Sequence, residues 1–152
     1  MMSTKKVCDS YQELHDTTRL NYLNNYGVAL YLLGQPNEAK PILEEALSVF
    51  NASSTTLDSA IYPVILSSLS MCYAHLDSFD IAIQKIDNSL NFLKRRNQEI
   101  SETYANALTN KAFCFFRKKK FDLSSKLIAE ALNIYAEAVS YTHLTLPTNR
   151  EV

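Results

Sequence analysis

Apolar residues recur along this chain at helical spacing, and the clearest run lies between residues 20 and 50. Leu20, Leu23, Gly27, Leu30 and Gly34 fall at steps of three, four, three and four, which aligns them on one stripe of a helix. After the break Gly34-Gln35-Pro36, a second stripe follows in Ala39, Ile42, Leu43, Ala46, Leu47 and Phe50. Pro36 suits a first helical position, where a backbone N–H would have no partner. The pattern predicts a helix to about Leu33, a tight turn, and a second helix from about Pro36 to Phe50.

The same plan returns twice. Tyr62, Leu66, Leu69, Tyr73 and Leu76 repeat the first stripe, with Pro63 early enough in its helix to be tolerated. Ala82, Ile86, Ser89, Leu90 and Leu93 follow Ala39, Leu43, Ala46, Leu47 and Phe50 by 43 residues, and Ser124, Ile128, Ala131, Leu132 and Tyr135 follow those by 42. A third pair is expected over about Ile100 to Arg117 and Phe121 to Ala138. Thr55 with Asp58, Ser78 and Asn97 are the candidate helix caps. Positions facing a close neighbour are small, Gly27, Ser70 and Ala112 on first helices and Ala39, Ala82 and Ser124 on second ones. A helix pair cannot cover its own apolar faces, so the units must stack. The expected layout is an N-terminal segment over 1–17, units at about 18–51, 58–95 and 100–138, and a tail over 139–152. Whether Asp9 to Asp16 closes an earlier helix or opens the first one is left open by the periodicity.

Composition narrows the class. Two glycines and four prolines in 152 residues fit long helices with short connectors, so an all-α fold is expected. A net charge of −1 supplies no global field toward nucleic acid or an anionic membrane. No apolar run reaches membrane-span length, and Met1 to Asp9 lacks the apolar block of a secretory signal, which points to a cytoplasmic setting. Cys8, Cys72 and Cys114 are too widely spaced for a metal or redox motif, and read as reduced thiols, the last two as small core residues.

With small and large positions in view, the units resemble tetratricopeptide repeats: Leu23, Gly27, Leu30, Gly34, Ala39 and Ala46 in the first, Leu66, Ser70, Tyr73, Phe79, Ala82 and Ser89 in the second, and Leu108, Ala112, Phe115, Phe121, Ser124 and Ala131 in the third. The period exceeds the roughly 34 residues of the common repeat. It is similar to the longer repeats of kinesin light chains and related proteins, as are the strings Leu23-Asn24-Asn25-Tyr26-Gly27 and Glu38-Ala39-Lys40-Pro41-Ile42-Leu43. Units two and three lack the double asparagine, with Ser67-Ser68 and Thr109-Asn110 in its place. The resemblance implies an α-solenoid, a right-handed superhelix of three helix pairs, that binds other proteins. The tail from about Ser140 looks like translated adaptor or vector sequence. That likeness implies an array cut short, with Leu127, Leu132 and Tyr135 deprived of a covering unit.

On each first helix a second stripe lies about 130° from the core stripe, counting about 100° per residue. By resemblance it lines a concave groove. It carries Asn21, Asn24, Asn25, Val28 and Tyr31, then Ser67, Ser68, Met71 and His75, then Asn106, Asn110, Phe113, Phe116 and Arg117. An amide offers a donor and an acceptor to an extended peptide backbone, and Met71, Phe113 and Phe116 offer apolar pockets. The alternative is that the asparagines are solvated and the aromatics pack on a neighbouring unit. No cation stands at Asn24, Val28, Ser68, Asn106 or Asn110, which argues against capture of a C-terminal carboxylate. The run Arg117-Lys118-Lys119-Lys120 reads either as a contact for an acidic partner or as a solvated turn. His15 and His75 have no ligand partners at metal spacing, and no motif for phosphate binding or acyl transfer is present. The expectation is a non-enzymatic scaffold that binds a protein or peptide, with no cofactor, no metal, no small-molecule substrate and no membrane partner. A helical array binding nucleic acid, or a structural segment of a larger protein, is the alternative.

Overall fold

A computed structural model describes residues 16–52 and 60–145, with side-chain surroundings for 18–52 and 60–140. Six helices follow in order: α1 Asp16–Leu32, α2 Pro36–Ala52, α3 Ile61–His75, α4 Phe79–Arg95, α5 Glu102–Arg117 and α6 Phe121–Thr145. Among the described residues there is no strand. The helices pack as the hairpins α1/α2, α3/α4 and α5/α6, and successive hairpins stack through α2 on α3 and α4 on α5. First helices also lie side by side, α1 against α3 and α3 against α5, in one continuous layer. The result is an all-α helical-repeat architecture of three pairs. The expected cap at Thr55 and Asp58 lies outside the described residues.

The three turns within the hairpins are built alike. Gly34, Asp77 and Lys119 have positive φ of 78°, 57° and 59°. Each sits just past a helix end, where crossed backbone bonds such as Gly34 N to Tyr31 O and Gln35 N to Leu30 O satisfy the last carbonyls. The next residue then opens the second helix through its own carbonyl, as Ala39 N to Gln35 O, Ala82 N to Ser78 O and Ser124 N to Lys120 O show. Gly34 is therefore a turn residue, exposed, rather than the end of the core stripe. Ser78 caps through its backbone, and its side chain makes no cap bond. Asn97 does not cap α5. With φ of 54° it ends α4 in the left-handed region, and the hydroxyl of Ser101 accepts from Tyr104 N at 3.2 Å to cap α5.

The core runs along the stack rather than inside single hairpins. Ala82, Ile86, Leu90 and Leu93 of α4 share one buried cluster with Tyr104, Ala105 and Leu108 of α5. Leu43 of α2 meets Leu69 and Cys72 of α3 in another. The small positions set the close approaches. A Cβ on Gly27 would stand 2.6 Å from Leu43 Cγ, and Ser124 Oγ donates to Ala112 O at 2.9 Å across the α5/α6 crossing. Ser89, wholly buried, donates to Pro63 O, the carbonyl of a residue with no N–H of its own to offer the ladder.

Candidate functional site

The continuous layer of first helices brings residues from all three units onto one surface. Tyr31 of α1, His75 of α3 and Phe113 of α5 follow one another across it. The Tyr31 and His75 rings meet edge to face at 5.0 Å, and His75 stacks on Phe113 at 6.0 Å and 20°. His75 Nδ1 lies 3.2 Å from the Tyr31 hydroxyl. The Arg117 guanidinium continues the line at 5.8 Å from the Phe113 ring and 5.3 Å from Phe79. Burial, and then the nearby Cys72 sulfur, push the Tyr31 hydroxyl above its ordinary pKa, so it remains a neutral donor.

The amides differ in what they do. Asn21 and Asn25 are exposed. Asn110 donates to Ser67 Oγ at 2.8 Å, joining α5 to α3. Asn106 accepts from the Tyr135 hydroxyl at 2.6 Å, so its carbonyl is engaged by α6. Asn24 is only 7% exposed, and its Oδ1 has no hydrogen-bond partner. By repeat spacing the Asn24 and Ser68 pair is the counterpart of Ser67 and Asn110. The Ser68 hydroxyl instead donates to Val64 O within its own helix. A buried carbonyl without a donor costs on the order of 1–3 kcal/mol. Val28 and Met71 are half-buried beside these amides, and Val64, not among the expected residues, is 38% exposed at the place one unit on from Asn21.

The basic run is largely held within the fold. Arg117 donates to Asp77 Oδ1 at 2.8 Å and Lys118 to Asp80 Oδ1, tying the turn of unit three to that of unit two. The bond from Lys118, then its charge, lowers the Asp80 carboxyl below the usual carboxylate range. Lys120 Nζ stands 5.9 Å from the Phe115 ring. The two aspartates were the partners not anticipated from the sequence. Their signal was placement at the same turn one unit earlier.

Cys72 and Cys114 are fully buried, and burial pushes each thiol up to about 11, where it is neither charged nor nucleophilic near neutrality. Among the described residues no three acidic, histidine or cysteine side chains gather as a metal site, and no helix is long and apolar enough to cross a membrane. Compared with known proteins, the chain matches no family model and no curated protein.

Proposed function

We propose that the chain is a non-enzymatic, tetratricopeptide-like module of the cytoplasm that receives an extended peptide or partner helix along its layer of first helices. The observation that carries this reading is the set of exposed Asn21 and Asn25 with half-buried Val28 and Met71 on the layer where α1, α3 and α5 lie side by side. Val28, Met71 and Phe113 would hold apolar side chains of an incoming peptide, and exposed Asn21 and Asn25 would bond its backbone groups without regard to sequence. First helices that pack on one another, while second helices meet their neighbours mainly through them, support placing this layer on the inside of a curve.

The test is selection of short random peptides on the immobilised chain, followed by calorimetric titration of the enriched sequences. Asn25→Ala combined with Met71→Glu should weaken them at least about tenfold, while a control substitution on exposed α4 surface, Asn91→Ala, should leave binding unchanged. No enrichment over bare support, or equal binding to the parent and the double variant, ends this reading.

A further inference from the structure

The two junctions between units are tied differently. Across the second, Asn110 of α5 donates to Ser67 of α3 at 2.8 Å, Arg117 donates to Asp77 at 2.8 Å, and Lys118 pairs with Asp80. One unit earlier, by the spacings of 43 and 42 residues, Gly34 and Asn37 stand in the places of Asp77 and Asp80, and His75 and Leu76 in those of Arg117 and Lys118. No ion pair can form between these residues. The amide contact is missing as well, since Asn24 Oδ1 has no partner and the Ser68 hydroxyl donates to Val64 O of its own helix.

Rings hold the first junction instead, and unequally along its length. At the end away from the turns, Phe50 of α2 stacks on Tyr62 of α3 at 4.8 Å, and Tyr62 in turn meets Phe92 of α4 at 4.9 Å. Toward the turns, Tyr73 donates to Glu44 and lies under Lys40 Nζ at 5.5 Å. At the turn end itself the contact is Tyr31 on His75, whose Nδ1 is 3.2 Å from the Tyr31 hydroxyl and equally 3.2 Å from Met71 O. Tyr31 therefore shares its partner with the α3 backbone. Helix α2 spans about 21 Å from Pro36 to Phe50, at about 1.5 Å per residue. A restraint at the turn end of such a lever limits rotation most, so even ion pairs that are individually weak lock the second junction where the first has none.

From this asymmetry we infer that the hairpin α1/α2 is the moving jaw of the array: it pivots on the Phe50–Tyr62 stack and opens at its turn end, with Tyr31 on His75 as the latch. Units two and three move as one body. The motion changes the separation of Val28 on α1 from Met71 on α3, while Met71 and Phe113 keep theirs, so the layer of first helices has one adjustable half and one fixed half. The motion belongs to the chain without a partner, and its test is independent of peptide binding.

Spin-label distance distributions between units test it, in the 152-residue chain carrying Cys8→Ser so that only the buried Cys72 and Cys114 thiols remain beside the labels. Glu38, Ile81 and Leu123 are exposed and hold the same place near the turn of each unit, and exposed Ser48 and Asn91 match at the pivot end. The distribution for Glu38→Cys with Ile81→Cys should be at least about twice as broad as that for Ile81→Cys with Leu123→Cys, while Ser48→Cys with Asn91→Cys should be as narrow as the latter. Tyr31→Ala should broaden the first pair further. Asn37→Asp with Leu76→Lys, which copies Asp80 and Lys118 into the first junction, should narrow it to the width of the second. Equal widths for the two turn-end pairs, a Ser48/Asn91 pair as broad as Glu38/Ile81, or a Glu38/Ile81 width that neither variant changes would overturn the inference.

Discussion

Helices α4 and α6 carry the same pattern and meet different surroundings. Ile86, Leu90 and Leu93 of α4 are 0%, 6% and 2% exposed, buried against α5. Their counterparts on α6 are Ile128 at 38%, Leu132 at 62% and half-buried Tyr135. Toward their own hairpin partners the two helices agree, with Ala82 fully buried, Ser124 at 9% and Ala131 at 1%. In a stacked array a second helix thus turns one side to its hairpin and the other to its neighbour. The energetic weight of an apolar residue depends on which side it faces.

That difference can be broken most directly at equivalent isoleucines. Ile86→Ala should cost about 3–4 kcal/mol in urea unfolding through lost burial and the cavity left behind, while Ile128→Ala should cost under about 1 kcal/mol. Equal losses would mean that α6 is as well covered as α4.

Alkaline pH asks whether the exposure stops at α6. Cys72 of α3 and Cys114 of α5 are both fully buried, with pKa raised from 9.0 to about 11. The folded state holds these protons more tightly than the unfolded chain. The thiols' contribution is therefore complete below pH 9 and lost as pH rises through about 11. Each accounts for on the order of 2 kcal/mol at the upper limit. Tyr73, raised to about 12 chiefly by its bond to Glu44 and then by burial, prolongs the decline. Melting temperature followed from about pH 8 to 12 should fall less steeply, by similar amounts, in Cys72→Ala and Cys114→Ala; a flat profile in the parent would contradict the burial of both.

A closer comparison is the crossing of the two helices within a hairpin. Gly27, Ser70 and Ala112 occupy equivalent places, but only at Gly27 does the partner fill the space of a Cβ, with Leu43 Cδ2 at 2.7 Å. Gly27→Ala should destabilise by about 1–3 kcal/mol despite its gain in helix propensity, because fully buried Leu43 has nowhere to move. A stabilised variant would show that the crossing yields. The smallest expected effect is at the turns. Lys119 holds the left-handed conformation that Gly34 holds in unit one, and Lys119→Gly should raise stability by about 1 kcal/mol in the same unfolding assay. No gain would mean that the lysine side chain stabilises the turn in compensation.

The stripes were legible because helix periodicity is local: Leu20, Leu23 and Leu30, or Ala82, Ile86 and Leu90, could be placed on a buried face from spacing alone. Gly34 and Asn97 were not, since a glycine fits a stripe as well as a turn and an asparagine caps either end of a helix. The φ each adopts depends on where the chain must go next. The aligned aromatic surface was legible as a set of residues but not as a line. That Tyr31 meets His75 and His75 meets Phe113 depends on the register between neighbouring first helices, and so does the fate of Asn106 and Asn24, one satisfied by Tyr135 and the other left without a donor.

The residues of this chain by themselves determined the helices, their pairing into three hairpins and the small positions where they cross, because each follows from contacts within a few turns or from a repeat written in the sequence. Tertiary structure alone decided which identical-looking seams are covered, which cations are neutralised by Asp77 and Asp80, and which amide keeps a free carbonyl. Burial and hydrogen bonding belong to pairs of groups, and a sequence specifies only one member of each pair at a time.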